Sequence, residues 1–590
     1  MSPTATTLAP ATNPRSKAIQ DEFNDYQRKL VQARRRLNVY TLVAWIPPEV
    51  LVEIFLHFRQ LTRESEGDIP GSHEGRPYYW IKISHICYFW RCVALSTPHL
   101  WTQITVTNSA CVQEMFRRAR GHRLQLKVNL NPLIDDHESL PARVKLAQRC
   151  LSILPRFSSV DVLASDTQDL ADLLKPATSP AHLDTLIIAT LGIPGMPDSY
   201  EGSPIPFIQK SMPRLRRLQY EGPRIHWLEN AFRPTLTHVE ICCTQRSAAA
   251  QMFTVTRVIR ALQEMPGLRH LTLREAFATT QPECRVSSPI DMAKLRFLRL
   301  DGLAKHCANF TESISVPPDC VMHFVVDGEA PFSRLTSAIS AKLATAKSAL
   351  KSISVVREGE HAYYTTLRGW THIRSLTTIQ DTNVQPTVTL SCSVQRLNLQ
   401  TTGVEQLLAQ LPLGDVRTVH FDGIIGLSKN IWAKLAIHLP AVRGARLKSI
   451  TAEGFPEILV NTPQPPAKLQ NNSQSRAPLY LPRLHTLLLD EVPFEMLSPQ
   501  NHSFLRRLNT AIAIRKARGG TAGIIRKLMI VQGVDIVMGE VMDMKRVVPV
   551  VQWDGYELTF DDHGEIFDQF AGVGGKRGDD IVDSVQEYEG

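Results

Sequence analysis

The chain reads as an α/β protein: a small helical module near the amino terminus, then a long solenoid of short strands alternating with helices. Three observations predict this. Two apolar helical stripes between residues 46 and 101 are bracketed by prolines, short alternating leucine runs recur from 183 to 533, and stretches of helical spacing lie between those runs. At 590 residues the chain is too long for one compact core, which fits several domains or an extended array.

Bulk composition narrows the function classes. Hydrophobic residues make up 43% and charged residues 21%, ordinary for a folded protein. The ten cysteines are scattered, with no C-x-x-C spacing, and the adjacent Cys242 and Cys243 suit neither a zinc nor a redox site. Structural disulfides, metals and cofactors are therefore not expected, and a reducing compartment, cytoplasm or nucleus, fits best. The amino terminus is rich in Ser, Thr, Ala and Pro without a signal-peptide core. No run of about 18 apolar residues predicts a membrane span. The net charge of +9 is uneven: residues 561–590 hold nine acidic and two basic groups, so the first 560 carry +16. Spread over that length, the excess is mild and does not point to nucleic acid.

Taken in order, residues 1–16 are expected to be disordered. Residues 17–40 form a helix with a 4-3 seam: Ile19, Phe23, Tyr26, Leu30, Ala33, Leu37 and Tyr40. Such a seam serves dimerisation or packs against the module that follows, and its shortness favours the second. Arg34, Arg35 and Arg36 fan over the solvent side of this helix, so they read as a solvated face.

Residues 41–105 form the helical module. Pro47 and Pro48 suit a helix start, where the first amides have no intrahelical partner, and Glu49 complements the positive end of the dipole. Val50, Leu51, Ile54, Phe55 and Phe58 make the first stripe. A polar Gly/Pro insertion, Arg63 to Pro77, separates it from a second helix with Ile83, Ile86, Cys87, Trp90 and Ala94 on one stripe. Ser96-Thr97-Pro98 ends that helix, and Leu100-Trp101 returns an apolar anchor. A segment this short cannot bury so many large apolar groups alone, which argues for a partner surface. The double proline, the Trp90-Arg91 pair and the terminal Pro98-His99-Leu100-Trp101 together resemble the F-box. That resemblance implies binding to the Skp adaptor of a cullin-type ubiquitin ligase. It would place the adaptor on Ile46, Pro47, Pro48, Glu49, Leu51, Ile54 and Phe55, buttressed by Trp90, Leu100 and Trp101. Ile46 stands where the family usually has Leu, and the insertion is longer than usual.

Beyond Ser109 a helix carrying Cys111, Met115 and Ala119 precedes a strand of strict alternation, Leu124, Leu126, Val128 and Leu130. Arg117, Arg118 and Arg120 lack interleaved aromatics and read as structural. An L-x-x-L-x-L unit then recurs, led by Leu183, Leu215, Leu236, Leu268, Leu295, Leu350, Val394, Val416, Leu484 and Ile525. The first leads fall 32, 21, 32 and 27 residues apart, and Val394 to Val416 spans 22. These intervals bracket the period of about 20 to 29 of leucine-rich repeats, with insertions. Residues 106–560 thus resemble a degenerate leucine-rich-repeat horseshoe, as in fungal F-box proteins. Its convex helices fall at Thr256–Glu264, Thr336–Ala349, Gly403–Gln410 and Asn430–His438. Gly195–Pro206 and Thr462–Pro478 read as loops, Ser503–Ala517 as a last helix, Val547–Trp553 as a strand turned by Asp554-Gly555, and 561–590 as a disordered acidic tail.

No catalytic constellation survives. H-E-x-x-H, G-x-S-x-G and a Walker lysine loop are absent from the sequence. Gly572 to Arg577 lacks the spaced first glycine and the Ser/Thr after lysine of a phosphate loop. His420 and His485 sit inside repeat strands, where packing roles suffice. The expectation is a non-catalytic substrate receptor of an SCF-type ubiquitin ligase, joined to the Skp adaptor and cullin through the F-box and to an unidentified protein substrate through the repeats. The alternatives are a non-degradative interaction scaffold and a nucleic-acid-associated repeat protein.

Overall fold

The computed structural model describes residues 14–64, 78–131, 140–178, 180–191, 206–223, 228, 231–244, 253–278, 288–327, 332–345, 349–358, 364–381, 383–393, 404–405, 408–424, 427–460, 479–494, 503–533, 536, 538–554, 556–560 and 566–570. It divides near residue 215 into two compact units. No helix among the described residues is long and apolar enough to cross a membrane.

The first unit opens with α1 (Pro14–Asn38), whose first turn takes in residues 14–16, expected to be disordered. Proline at the first helical position costs no hydrogen bond. The helical module follows as α2 (Pro48–Glu64) and α3 (Tyr88–Ser96). The second helix of the module is not continuous. A 3-10 segment, Tyr79–His85, leads to Cys87, whose extended backbone and sulfur cap the amide of Trp90 at 3.4 Å, so α3 starts afresh. The helix expected after Ser109 is α4 (Ser109–Ala119), capped by Asn108 Oδ1 on the Cys111 amide at 2.9 Å.

Four strands in this unit, β1 (Gln103–Thr105), β2 (Leu124–Asn129), β3 (Phe157–Ala164) and β4 (Thr185–Thr190), pair in sequence order and all run parallel. Their register aligns Ile104, Leu126, Val160 and Leu186 in one buried row. Successive parallel strands need a crossover, supplied here by α4 and by the helices Leu140–Leu151 and Thr167–Leu174.

The second unit carries β5 (Arg217–Gly222), β6 (His238–Cys243), β7 (His270–Arg274), β9 (Phe297–Leu303) and β11 (Val321–Asp327), each parallel to the one before in that order. The short strands β8 (Ile290–Asp291) and β10 (Ile314–Ser315) pair only with each other. Leu218, Val239, Leu271, Leu298 and Met322 share one register row, and Tyr220, Ile241, Leu273, Leu300 and Phe324 the next. Both rows are buried, and the alternate residues form the other face.

The order then reverses. β12 (Ser352–Glu358), β13 (Tyr364–Trp370) and β14 (Val388–Ser393) form an antiparallel meander. Its last strand lies beside β11, and its first is parallel to β15 (Thr418–Asp422). A strict repeat would have placed β12 next to β11. Gly369, on the central strand, permits the crossing, since a Cβ there would stand 2.9 Å from Val388 Cγ1 and 3.0 Å from Leu350 Cδ1. Regular order resumes with β16 (Gly444–Lys448), β17 (Thr486–Asp490), β18 (Lys527–Val531) and β19 (Val550–Trp553), all parallel. Past residue 560, where a disordered tail was expected, β21 (Ile566–Phe570) still pairs antiparallel with β20 (Tyr556–Phe560). Both segments are rich in aromatic and β-branched residues, which favour a strand despite the acidic composition around them.

Nine of the ten leucine-run copies take the expected form, and the Val394 copy lies outside the described residues. All nine leads are buried, and a turn closes on seven of them: the amides of Leu183, Leu215, Leu236, Leu268, Leu295, Val416 and Leu484 bond to the carbonyl three residues back. The expected helices appear as Val255–Gln263, Ser333–Thr345, Lys429–Ile437 and Phe504–Gly519, the last capped by Ser503. Of Gly403–Gln410, the described residues 404–405 and 408–409 are helical, while the two proline-rich inserts lie almost wholly outside the described residues.

Candidate functional site

The helical module divides the ten residues singled out in the sequence into two groups. Leu51, Phe55, Leu100 and Trp101 face inward, each no more than 1% exposed. Phe55 packs on half-buried Trp90 with ring centroids 5.1 Å apart, and Trp101 meets Trp80 edge-on at 5.1 Å. The Trp101 indole donates to the Ala94 carbonyl at 2.8 Å, and Arg118 lies over its ring at 4.1 Å. Arg59 Nη1 donates to the carbonyls of His99 and Leu100 at 2.8 and 3.0 Å, tying the Pro98–Trp101 turn to α2. Tyr78, whose hydroxyl donates to the Thr105 carbonyl at 2.7 Å and accepts from the Thr105 amide at 2.9 Å, joins the module to β1. Burial holds that phenol above its ordinary range.

The remaining residues face outward. Pro47, Pro48 and Glu49 are exposed and Ile46 is half-buried. Ile54 is 42% exposed, and Val50, one helical turn earlier, 48%. Trp45, in the turn ahead of the prolines, is 74% exposed, and Ile86 and Tyr88 are also open. One apolar stripe on α2 therefore seals the module while a second stays uncovered. Sequence reasoning missed Trp45 and Tyr88; the signal was a tryptophan standing directly before the Ile46-Pro47-Pro48 start.

The open face of the second unit's sheet is a separate candidate. Strand alternation puts Arg217, His238, His270 and Phe297 in one register row and Gln219, Glu240, Thr272, Arg299 and His323 in the next. His238 stacks on His270 at 5.8 Å, His270 on Phe297 at 4.4 Å, and Phe297 meets His323 at 5.2 Å. Burial, aided by nearby arginines, holds His238 and His323 below the usual histidine range, so this ladder is neutral at physiological pH. In the third row nearly buried Asp301 accepts from Arg274 Nε at 3.0 Å and from Arg299 Nη2 at 2.9 Å.

Further along, a closed network covers the same face. Arg446 Nη2 donates to Asp490 Oδ2 at 2.7 Å and its Nη1 to the carbonyls of Leu376 and Thr377 at 2.9 and 3.2 Å. His420 pairs with Ser354 Oγ at 2.8 Å, and its value is pushed down to about 3 by burial and then by Arg446 and Lys448. His420 is thus a neutral interior group, while His485 is half-buried beside Thr486 at 2.9 Å. Among the described residues no group of His, Cys, Asp and Glu is arranged to hold a metal.

No family model matches the chain, and no curated protein matches it. Among solved structures it is similar to TLR13 in its complex with ssRNA13, at 13% identity and TM-score 0.27, covering 73% of this chain and 48% of that one. It is also similar to the leucine-rich repeat-containing protein LegL7 from Legionella pneumophila, at 10% identity and TM-score 0.20, covering 79% of this chain and 92% of that one. The chain thus spans about half the length of the first of these.

Proposed function

We propose that residues 41–105 are an F-box, that residues 106–560 are a degenerate leucine-rich-repeat solenoid, and that the chain is the substrate-recognition subunit of an SCF-type ubiquitin ligase. The observation that carries the reading is the pairing of stripes on α2. Leu51 and Phe55 are spent on the module's own interior, whereas Val50 and Ile54 remain open beside the exposed Pro47-Pro48 start. A stable module that keeps a second apolar stripe in water has the anatomy of a docking surface. The turn-led parallel strands of the second unit, with polar and aromatic side chains in rows on one face, supply a broad surface for a protein substrate. The mechanism is proximity: the adaptor and cullin hold the complex, the sheet face holds the substrate, and the ubiquitin-loaded enzyme acts at raised effective concentration.

The test is capture of the Skp adaptor and cullin by the full chain and by Ile54→Asp. Ile54 is exposed, so the substitution leaves the fold intact while putting a charge into the docking stripe. We expect adaptor capture to fall at least about tenfold, since a charge desolvated at an interface costs more than 1.4 kcal/mol. Unchanged capture by Ile54→Asp refutes the reading. Leu51→Asp is not a useful test, because Leu51 is fully buried and its loss unfolds the module.

A further inference from the structure

The expectation that α1 lays its seam on the module that follows is not met. Ile19, Phe23, Tyr26, Leu30 and Leu37 are all between 50% and 69% exposed, and α1 touches the module through Arg35, whose guanidinium lies 4.2 Å from the Tyr88 ring centre. Arg35 is on the side of the helix opposite the seam, so the contact orients α1 without covering its apolar face. A helix of 25 residues, about 37 Å long, therefore keeps a complete 4-3 apolar seam in water.

We propose that this seam pairs with the same helix of a second copy, forming an antiparallel two-stranded coiled coil. Shape and charge both select the occupant and its direction. With Ile19, Tyr26 and Ala33 as d positions and Phe23, Leu30 and Leu37 as a positions, an antiparallel register stacks Ile19 on Leu37, Phe23 on Ala33 and Tyr26 on Leu30 of the second copy. The Phe23 ring then fills the space beside the smallest side chain. A parallel pair would set Phe23 against Phe23 and leave Ala33 against Ala33, one layer overfull and one hollow.

The charge pattern agrees. Residues 20–26 hold Asp21, Glu22 and Asp25 with no base, and residues 28–36 hold Arg28, Lys29, Arg34, Arg35 and Arg36 with no acid. Only opposed directions bring the acidic half of one helix to the basic half of the other. Flanking the seam, Glu22 then faces Arg36 of the second copy, twice by symmetry, which outweighs the single meeting of Lys29 with its own copy at the two-fold axis. The parallel arrangement sets Lys29 against Arg34 of the second copy, like charge on like.

Sedimentation of the full chain tests this without reference to any adaptor. The wild type is expected at twice the 66.2 kDa of one chain, and Leu30→Glu at one, with dimer affinity lowered at least about 100-fold and the single chain still folded by tryptophan fluorescence because Leu30 is exposed in it. Glu22→Arg and Arg36→Glu should each weaken the dimer roughly three- to tenfold, and the two together should restore it. A wild type that sediments as one chain at micromolar concentration, or a dimer that survives Leu30→Glu, overturns the pairing. Failure of the combined charge swap to restore what each single swap loses overturns the antiparallel direction.

Discussion

Removing the Asp490 carboxylate tests whether the Arg446 network braces the sheet or waits for a ligand. Arg446 and Asp490 side chains are 10% and 4% exposed, joined at 2.7 Å, with the other end of the guanidinium held by two backbone carbonyls. In Asp490→Ala the guanidinium stays in place, nearly buried and uncompensated, which costs about 3 to 5 kcal/mol. Replacing both groups, Arg446→Met with Asp490→Leu, removes the stranded charge but leaves the Leu376 and Thr377 carbonyls unmet, for about 1 to 3 kcal/mol. The single substitution should therefore be more damaging than the double. With a urea slope of about 3 kcal/mol per M, the Asp490→Ala midpoint should fall by about 1 to 1.7 M, and the double variant's by less than about 1 M. Urea unfolding followed by tryptophan fluorescence reads both. If Asp490→Ala unfolds like wild type, or the double variant is the weaker, the pair is not a buried brace and the reasoning fails.

Two further outcomes follow from the same region. His420 is neutral when folded, held down to about 3, whereas an unfolded histidine titrates near 6.5, so the unfolded chain binds the extra proton between those values. Its contribution is complete above about pH 6.5 and is lost as pH falls toward 3, by up to about 1.4 kcal/mol per unit; urea midpoints at descending pH should show a shallower decline in His420→Gln. Gly369→Ala should loosen the β12–β14 meander by about 1 to 3 kcal/mol, because the added methyl meets Val388 and Leu350 at 3.0 Å or less; hydrogen exchange in peptides covering 364–370 reads it, and unchanged protection would contradict the close approach.

The legible part of the fold was the part led by leucine. Leu236-x-x-Val239-x-Ile241 and Leu484-x-x-Leu487-x-Leu489 announce a buried turn residue followed by two inward strand positions. The strands that escaped use other residues for the same three places. β16 has Val442, Ala445 and Leu447, β11 has Cys320, Met322 and Phe324, and β3 opens on Phe157. All are buried, and each run opens on a residue that a search for leucine passes over. The reversal at β12–β14 is not encoded locally, since alternation looks the same in a parallel and an antiparallel strand. Gly369 is a local trace of it.

At the candidate sites the stripe was visible but its direction was not. Val50, Leu51, Ile54 and Phe55 form two adjacent apolar rows on one short helix, and only packing against Trp90 and Trp101 decides which row is inside. The His238–His270–Phe297–His323 ladder joins residues from four strands, so no single window contains it. The seam of α1 was plain in the sequence, while its exposure depended on where the chain turned at residues 39–47.

The central claim is that the open stripe of α2 is a docking face for the Skp adaptor, and calorimetric titration of the adaptor into the purified full chain tests it most directly. The account predicts saturable binding at one adaptor per chain with a negative heat-capacity change, the mark of apolar surface leaving water. Absence of a saturable heat at every temperature would contradict it.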